Sequence, residues 1–224
     1  MIKKIEILGI RINNYTVREA MLQVEAYLND TAMKTIEEIS MDTLVAAKDD
    51  NELKDFIEGL DLAVIYDKEI LKAAGADTSE RVWESAERQF LPEFLKRIMR
   101  NGKSVYLFGE TKQQLSVLQG FLEENYNRLN ILGSFAMEDC VGDYDGAVNE
   151  INIASPDVVF SVLPTPAREY FLMENRGKIN TNIWFELGSG YEKISGVSKI
   201  KKQFLHLIQK GRLHSMVSKY EQEK

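Results

Sequence analysis

The sequence has few of the residues that build disulfides and transition-metal sites: one cysteine and two histidines in 224 residues. Cys140 has no second cysteine with which to form an internal disulfide, which predicts a protein of a reducing compartment such as the cytosol. His206 and His214 have no cysteine partners at zinc-site spacing. These counts argue against a zinc site. We expect no metal and no cofactor.

Long hydrophobic runs are also missing. No stretch approaches the about 18 apolar residues of a membrane-spanning helix, and residues 1–6 lack the apolar core of a signal peptide. With 44% hydrophobic and 28% charged residues, the composition is that of a globular protein. The sequence predicts a cytoplasmic protein.

Positive charge is scarce in the body of the chain and concentrated at its end. Residues 197–224 hold seven Lys or Arg against two Glu, a charge of +5, which leaves −12 for residues 1–196 out of a net charge of −7. An acidic body argues against nucleic-acid binding. The tail predicts a basic amphipathic helix that either lies on an anionic membrane, at the inner face of the cell membrane, or docks on the domain. Its membrane-contacting candidates are Lys201, Lys202, Lys210 and Arg212.

Strand patterns alternate with helical patterns along the rest of the chain. Strands are predicted near residues 35–40, 61–66, 104–108, 129–135, 157–163 and 182–187, with a further pair at 3–12, and a helix over 86–100 contains Pro92 in a first turn or at a kink. This order predicts an α/β fold, a mostly parallel Rossmann-like sheet with helices on both faces. We place the domain at 1–196 and a helical C-terminal appendage at 197–224.

Polar or glycine residues follow four of these strands. Parallel strands end at one edge of a sheet, where ligands bind in open α/β folds, so these residues could converge on one ligand. Asp67 could be catalytic, although from its position alone an N-cap is favoured. Glycines at such ends could admit a phosphate or simply make a turn. The candidates are Ser40, Asp42, Asp67, Gly109, Gly188 and Gly190.

Several stretches carry a resemblance to a known family. They are ILGI at residues 7–10, VYLFG at 105–109, PDVV at 156–159 and LPTPARE at 163–169. They resemble the WecG/TagA/CpsF family of bacterial glycosyltransferases, whose members carry Val-x-Leu-Leu-Gly and Leu-Gly-x-Pro-Lys-Gln-Glu at the places of the second and fourth. The resemblance runs from about residue 3 to residue 204, nearly the whole chain.

The resemblance implies roles for individual residues. Asp67 would be the general base, and Ser40, Asp42 and Arg168 would contact substrate, Arg168 standing where the family has Gln. Gly109, Gly188 and Gly190 would cradle the diphosphate, and the basic tail would contact the membrane and help to hold the diphosphate.

The resemblance also implies a reaction: metal-independent, inverting transfer of an N-acetylhexosamine, N-acetylmannosamine-like, from a UDP-sugar to a lipid-linked acceptor in cell-surface polysaccharide or teichoic acid synthesis. Self-association is implied as well. Because Ser40, Asp42, Lys68 and Arg168 differ from the family motifs, two alternatives stay open. One is an inactive member that serves as partner or regulatory subunit of an active paralogue, and the other is a nucleotide-binding sensor.

Overall fold

The computed structural model describes residues 4–140 and 144–187. Gly188, Gly190 and the tail residues Lys201, Lys202, Lys210 and Arg212 lie outside the described residues, as does the predicted domain boundary. The strands are β1 (Lys4–Ile7), β2 (Ile10–Asn13), β3 (Lys34–Ile39), β4 (Leu62–Ile65), β5 (Ser104–Gly109), β6 (Asn130–Ala136), β7 (Val158–Ser161) and β8 (Ile183–Glu186).

Nine helices of four residues' length or more lie among the described residues. They are α1 (Val17–Tyr27), α2 (Met41–Ala47), α3 (Asn51–Glu58), α4 (Lys68–Ala73), α5 (Ser79–Ala86), α6 (Phe90–Arg100), α7 (Lys112–Asn125), α8 (Asp145–Ala154) and α9 (Ala167–Asn175). Thr16, Ser40 and Thr111 begin α1, α2 and α7 with capping boxes. Each such side chain satisfies backbone N–H groups that the first helical turn leaves open, a contribution of about 1 kcal/mol.

Six strands form one parallel sheet in the order β4-β3-β8-β7-β5-β6, and β1 and β2 form a separate antiparallel hairpin. The predicted α/β fold with a parallel sheet is therefore confirmed. The predicted helix over 86–100 is shorter in the structure, since α6 begins at Phe90 and places Pro92 in its first turn. A proline is tolerated there because the first turn has no intrahelical N–H bond to lose.

The sheet is buried on both sides because its strands are apolar at successive positions. One side, which we call the first face, packs against α1, α6 and α7 through residues such as Ile36 and Phe160. The second face packs against α8 and α9 through Phe108 and Trp184, and against α2, α3 and α4 through Ile39. Neighbouring residues of a strand therefore point into different helical layers.

Candidate functional site

The candidate residues follow strands that all end at one edge of the sheet. Ser40 follows β3, Asp67 lies two residues after β4, and Gly109 is the last residue of β5. Because the strands are parallel, all three lie at this carboxyl edge, with Ser40 and Asp67 after neighbouring strands and Gly109 three strands away from Ser40. Their convergence on one ligand stays a prediction. Their individual environments decide what each can do.

Asp67 begins helix α4. One of its oxygens, Oδ1, accepts a hydrogen bond of 3.0 Å from the backbone N–H of Glu69, and the residue is nearly buried. The capping role favoured by its position is therefore confirmed. The cap uses Oδ1 alone, and Oδ2 lies outside it. The role of this carboxylate as a general base stays a prediction.

Ser40 and Asp42 lie at the start of helix α2, Ser40 as its N-cap and Asp42 in its first turn. Ser40 Oγ accepts from the backbone N–H of Thr43 at 3.1 Å, and Oγ also lies 2.9 Å from Thr43 Oγ1. Asp42 is exposed in the first turn, where a negative charge is favoured by the helix dipole. Local helix initiation accounts for both residues, and substrate contact by either stays a prediction.

Gly109 is a glycine for reasons of packing. A Cβ at this position would lie 2.8 Å from Val162 Cγ2 and 2.9 Å from Leu115 Cδ2. Both distances are below those of ordinary carbon contacts, so a side chain here would force the buried side chains of Val162 and Leu115 to shift. This requirement exists whether or not a phosphate binds nearby.

Arg168 has an environment that the sequence did not predict. It lies in the first turn of α9, is 2% exposed, and donates to two acidic side chains and one hydroxyl. Its Nη2 donates to Glu37 Oε1 and to Thr43 Oγ1, each at 2.6 Å, and its Nε donates to Glu169 Oε1 at 2.8 Å. Substrate contact by this guanidinium is still a prediction, and it requires that a ligand reach a buried, engaged group.

Glu186, at the end of β8, completes what we call the Arg168 cluster: Arg168, Glu37, Glu169 and Glu186. Burial raises the pKa of Glu186 to about 7, although Arg168 and hydrogen bonds from Ser161 and Trp184 lower it. Burial also raises the pKa of Glu37 well above its ordinary value. The positive charge of Arg168 lowers this pKa, and the negative charges of Glu169 and Glu186 raise it further. Arg168 is bonded to two of the three carboxyl groups, and burial favours the protonated form of Glu37 and of Glu186.

The hydrogen-bond geometry supports a retained proton. One carboxyl oxygen each of Glu37, Glu169 and Glu186 is buried and receives no hydrogen bond from the described residues. A buried acceptor without a donor costs about 1–3 kcal/mol, and a proton on one carboxyl supplies a donor. The pKa of Arg168 is itself raised, since the carboxylates of Glu37 and Glu169 outweigh the effect of burial.

A second group of paired charges lies on the first face beside β4. Glu38 is ion-paired with Arg88, whose guanidinium stands 4.8 Å from the ring centre of Tyr66. Arg81 Nη1 donates to Glu84 Oε2 at 2.5 Å, and its Nε donates to Asn14 Oδ1 at 2.9 Å. All of these side chains except Asn14 line a narrow cleft together with Tyr15 and Val64. Burial raises the pKa of Tyr66 to about 12.

The sequence carried a signal for these pairs. Glu37 and Glu38 are adjacent within a buried strand, and adjacent strand residues point to opposite faces. Each face therefore needs its own buried cation. Arg168 supplies the cation on the second face and Arg88 the one on the first.

Metal ligands are not gathered at this edge. Across residues 4–140 and 144–187, no group of three or more His, Cys, Asp or Glu side chains could hold a metal ion. The same residues include no helix with the length and apolar character needed to cross a membrane.

Comparison with known families gives the class of protein. Residues 5–208 match the model of the Glycosyl transferase WecG/TagA/CpsF family, which covers most of the chain. The chain belongs to this family. No curated protein matches its sequence. The matched range includes the six-stranded parallel sheet and the residues at its carboxyl edge. Membership of the WecG/TagA/CpsF family gives the class of function, which is that of a glycosyltransferase.

Proposed function

We propose that this protein transfers an N-acetylhexosamine, N-acetylmannosamine-like, from a UDP-sugar to a lipid-linked acceptor in the synthesis of a cell-surface polysaccharide or teichoic acid. The observation that carries the proposal is Asp67, a carboxylate at the carboxyl end of β4 in a member of a glycosyltransferase family. Asp67 is the base in this proposal because its Oδ2 lies outside the helix cap.

The proposed chemistry is a single displacement. The acceptor hydroxyl gives its proton to Asp67, and the hydroxyl oxygen forms a bond to the anomeric carbon of the sugar. The bond between that carbon and the UDP oxygen breaks, and UDP leaves with the electron pair. Attack from the face opposite the leaving group inverts the anomeric configuration.

Cations that neutralise the departing diphosphate have to come from beyond the Arg168 cluster, since Arg168 already compensates buried carboxylates. The basic residues Lys201, Lys202, Lys210 and Arg212 are the candidates in this proposal, and they also suit an anionic membrane that holds the lipid-linked acceptor. The proposal thus assigns catalysis to residues 1–196 and membrane contact to residues 197–224.

The experiment is a titration of the full chain with UDP and UDP-N-acetylhexosamines by calorimetry, followed by transfer assays with lipid-linked acceptors. Asp67→Asn is expected to bind the donor and to lose transfer, because an amide accepts no proton from the acceptor. Asp55→Asn, at an exposed position of α3, is the matched control and should keep transfer. Turnover that survives in Asp67→Asn would refute the assigned base.

A second function, that of a non-catalytic partner of an active transferase, is favoured by the Arg168 cluster. Its three carboxyl groups lie near the middle of the carboxyl edge, where they repel the negative charge of a nucleotide diphosphate. Absence of donor binding at millimolar concentration would favour this function over transfer. Donor binding followed by Asp67-dependent transfer would exclude it.

A further inference from the structure

The two edges of the six-stranded sheet differ in how they are covered. At the β4 edge, the β1–β2 hairpin packs Ile10 and Ile12 into one hydrophobic cluster with Ala63 and Ile65. At the β6 edge, the only strand that pairs with β6 in the described chain is β5. Among residues 4–140 and 144–187, the backbone groups on the outer side of β6 thus have no strand partner.

The sequence of β6 lacks the features that normally protect such an edge. Its seven residues, NILGSFA, include no charged residue and no proline. Natural edge strands usually carry charges or prolines, which prevent pairing with another chain. One irregularity is present: Leu132 has no opposite residue in β5, and its side chain is 44% exposed.

Helix α7 lies beside β6 and presents a stripe of residues at helical spacing. The stripe consists of Lys112, Ser116, Gln119, Gly120 and Glu123, and it lines an open groove of about 850 Å³ with Ser134. Two residues in the middle of the stripe, Ser116 and Gly120, are small, and a Cβ at Gly120 would meet no atom within 4 Å. One end of the stripe is basic and the other is acidic.

This charge order makes the stripe complementary to itself. When two copies of α7 pack antiparallel, Lys112 of one copy faces Glu123 of the other, and Ser116 faces Gln119. Small side chains at the crossing allow two helices to approach closely. Lys112 also pairs with Asp139 of its own chain at 2.8 Å, but this exposed pair leaves it free to bond a second carboxylate.

A single two-fold axis can relate both the β6 strands and the α7 helices of two copies. The 14 residues of α7 and the seven residues of β6 each span about 20 Å. The two elements run antiparallel, because Lys112 N donates to Glu138 just after the end of β6. The middle of α7, between Ser116 and Gly120, therefore lies level with Gly133 at the middle of β6.

We propose that β6 and α7 form the interface between two copies of this chain, related by a two-fold axis near Gly133. Two β6 strands pair antiparallel and extend the sheet to twelve strands, and the two α7 helices pack beside them with two Lys112–Glu123 ion pairs. The occupant is a second copy rather than an unrelated partner, because the charges of the stripe and the uncharged strand complement themselves under this rotation.

The experiment measures the mass of the full chain in solution over a range of micromolar concentrations, by analytical ultracentrifugation. The expected result is a species of twice the 25.6 kDa chain mass. Glu123→Lys should weaken the dimer at least ten-fold, since it sets two lysines opposite each other at two places. Mixing Glu123→Lys with Lys112→Glu should restore a mixed dimer, because the charges are again opposite.

Two further variants separate the interface from the fold. Gly120→Gln enters the groove from a position where a Cβ would meet no atom within 4 Å, and it should weaken the dimer without lowering thermal stability, since Gln is a better helix former than Gly. Glu124→Lys, an exposed neighbour outside the stripe, is the matched control and should leave the dimer intact. A monomer at every concentration, or a dimer that neither Glu123→Lys nor Gly120→Gln weakens, would overturn the proposal.

Discussion

Arg168 and Glu37 are 131 residues apart in the sequence, and Arg168 Nη2 donates to Glu37 Oε1 at 2.6 Å inside the protein. The contact joins the first turn of α9 to strand β3, and both side chains are almost completely buried. Two buried groups of opposite charge depend on each other, since each would be costly to bury alone.

Removal of the guanidinium should strongly destabilise the fold. Arg168→Met leaves the carboxyl groups of Glu37 and Glu169 without their cation, and we expect the free energy of unfolding to fall by about 3–5 kcal/mol. Denaturant unfolding at pH 7 measures this loss. The double variant Glu37→Met with Arg168→Met should recover part of it.

Arg176→Met is the matched control for this series. Arg176 is about half exposed and lies 3.5 Å from Asp61, so its loss should cost no more than about 1 kcal/mol. An equally small effect of Arg168→Met would show that the Arg168 cluster is not held by this cation.

The Arg168 cluster should also make stability depend on pH. The pKa of Glu186 rises from 4.5 in the unfolded chain to about 7 in the folded one, so between these values the folded state holds a proton that the unfolded state has released. The free energy of unfolding should therefore fall as the pH rises from 5 to 8, by roughly 1–3 kcal/mol. Unfolding in denaturant at a series of pH values measures the slope.

Glu186→Gln should flatten this dependence, because an amide does not titrate and can still accept from Trp184. Glu124→Gln, at an exposed position of α7, should leave the slope unchanged. Below pH 4.5 stability should fall again, since hydrogen bonds from Ser104 and Lys103 lower the pKa of Asp157 in the folded state. A slope of the opposite sign between pH 5 and 8 would mean that Glu186 is ionised in the folded protein.

The local features of the fold were readable from the sequence because they depend on neighbours in the chain. The capping boxes at Thr16 and Thr111 predict where α1 and α7 begin, and the alternation of strands and helices predicts the parallel sheet. The Arg168 cluster was not readable in the same way, since a partner for Glu37 that lies 131 residues away is set by the strand order. The packing of Gly109 against Val162 depends equally on which strands are neighbours.

Gly109→Ala should destabilise the protein through overpacking. The new methyl group would lie within 3 Å of Val162 and Leu115 side-chain carbons, and we expect a loss of about 1–3 kcal/mol. Gly146→Ala in α8 is the control, since its Cβ would meet no atom within 4 Å, and it should be neutral or stabilising by up to about 1 kcal/mol. An unchanged stability of Gly109→Ala would show that packing against Val162 and Leu115 does not require a glycine here.

The basic tail should bind anionic vesicles through charge. We expect the full chain to bind vesicles that contain anionic lipid and to be released at high salt, because salt screens the attraction. Replacing Lys201, Lys202, Lys210 and Arg212 with Gln should weaken binding, whereas replacing Lys54 and Lys72, two lysines of the acidic body, should not. Equal binding by both variants would assign the membrane contact to another surface.

Asp67 combines a structural and a proposed catalytic role, and two substitutions separate them. Asn keeps a side-chain oxygen that can accept from the N–H of Glu69, so Asp67→Asn should change the free energy of unfolding by less than about 0.5 kcal/mol. Asp67→Ala removes the cap of α4 and should cost about 1 kcal/mol.

Transfer activity should not follow stability. Both variants lack a carboxylate that can take a proton, so both should lose transfer although only one loses the cap. A loss of transfer in Asp67→Ala together with full transfer in Asp67→Asn would mean that the start of α4, rather than the base, is what the reaction needs. Unfolding curves and transfer rates measured on the same preparations decide between these possibilities. Both variants remove the carboxylate, but Asp67→Asn keeps the cap of α4 and Asp67→Ala removes it.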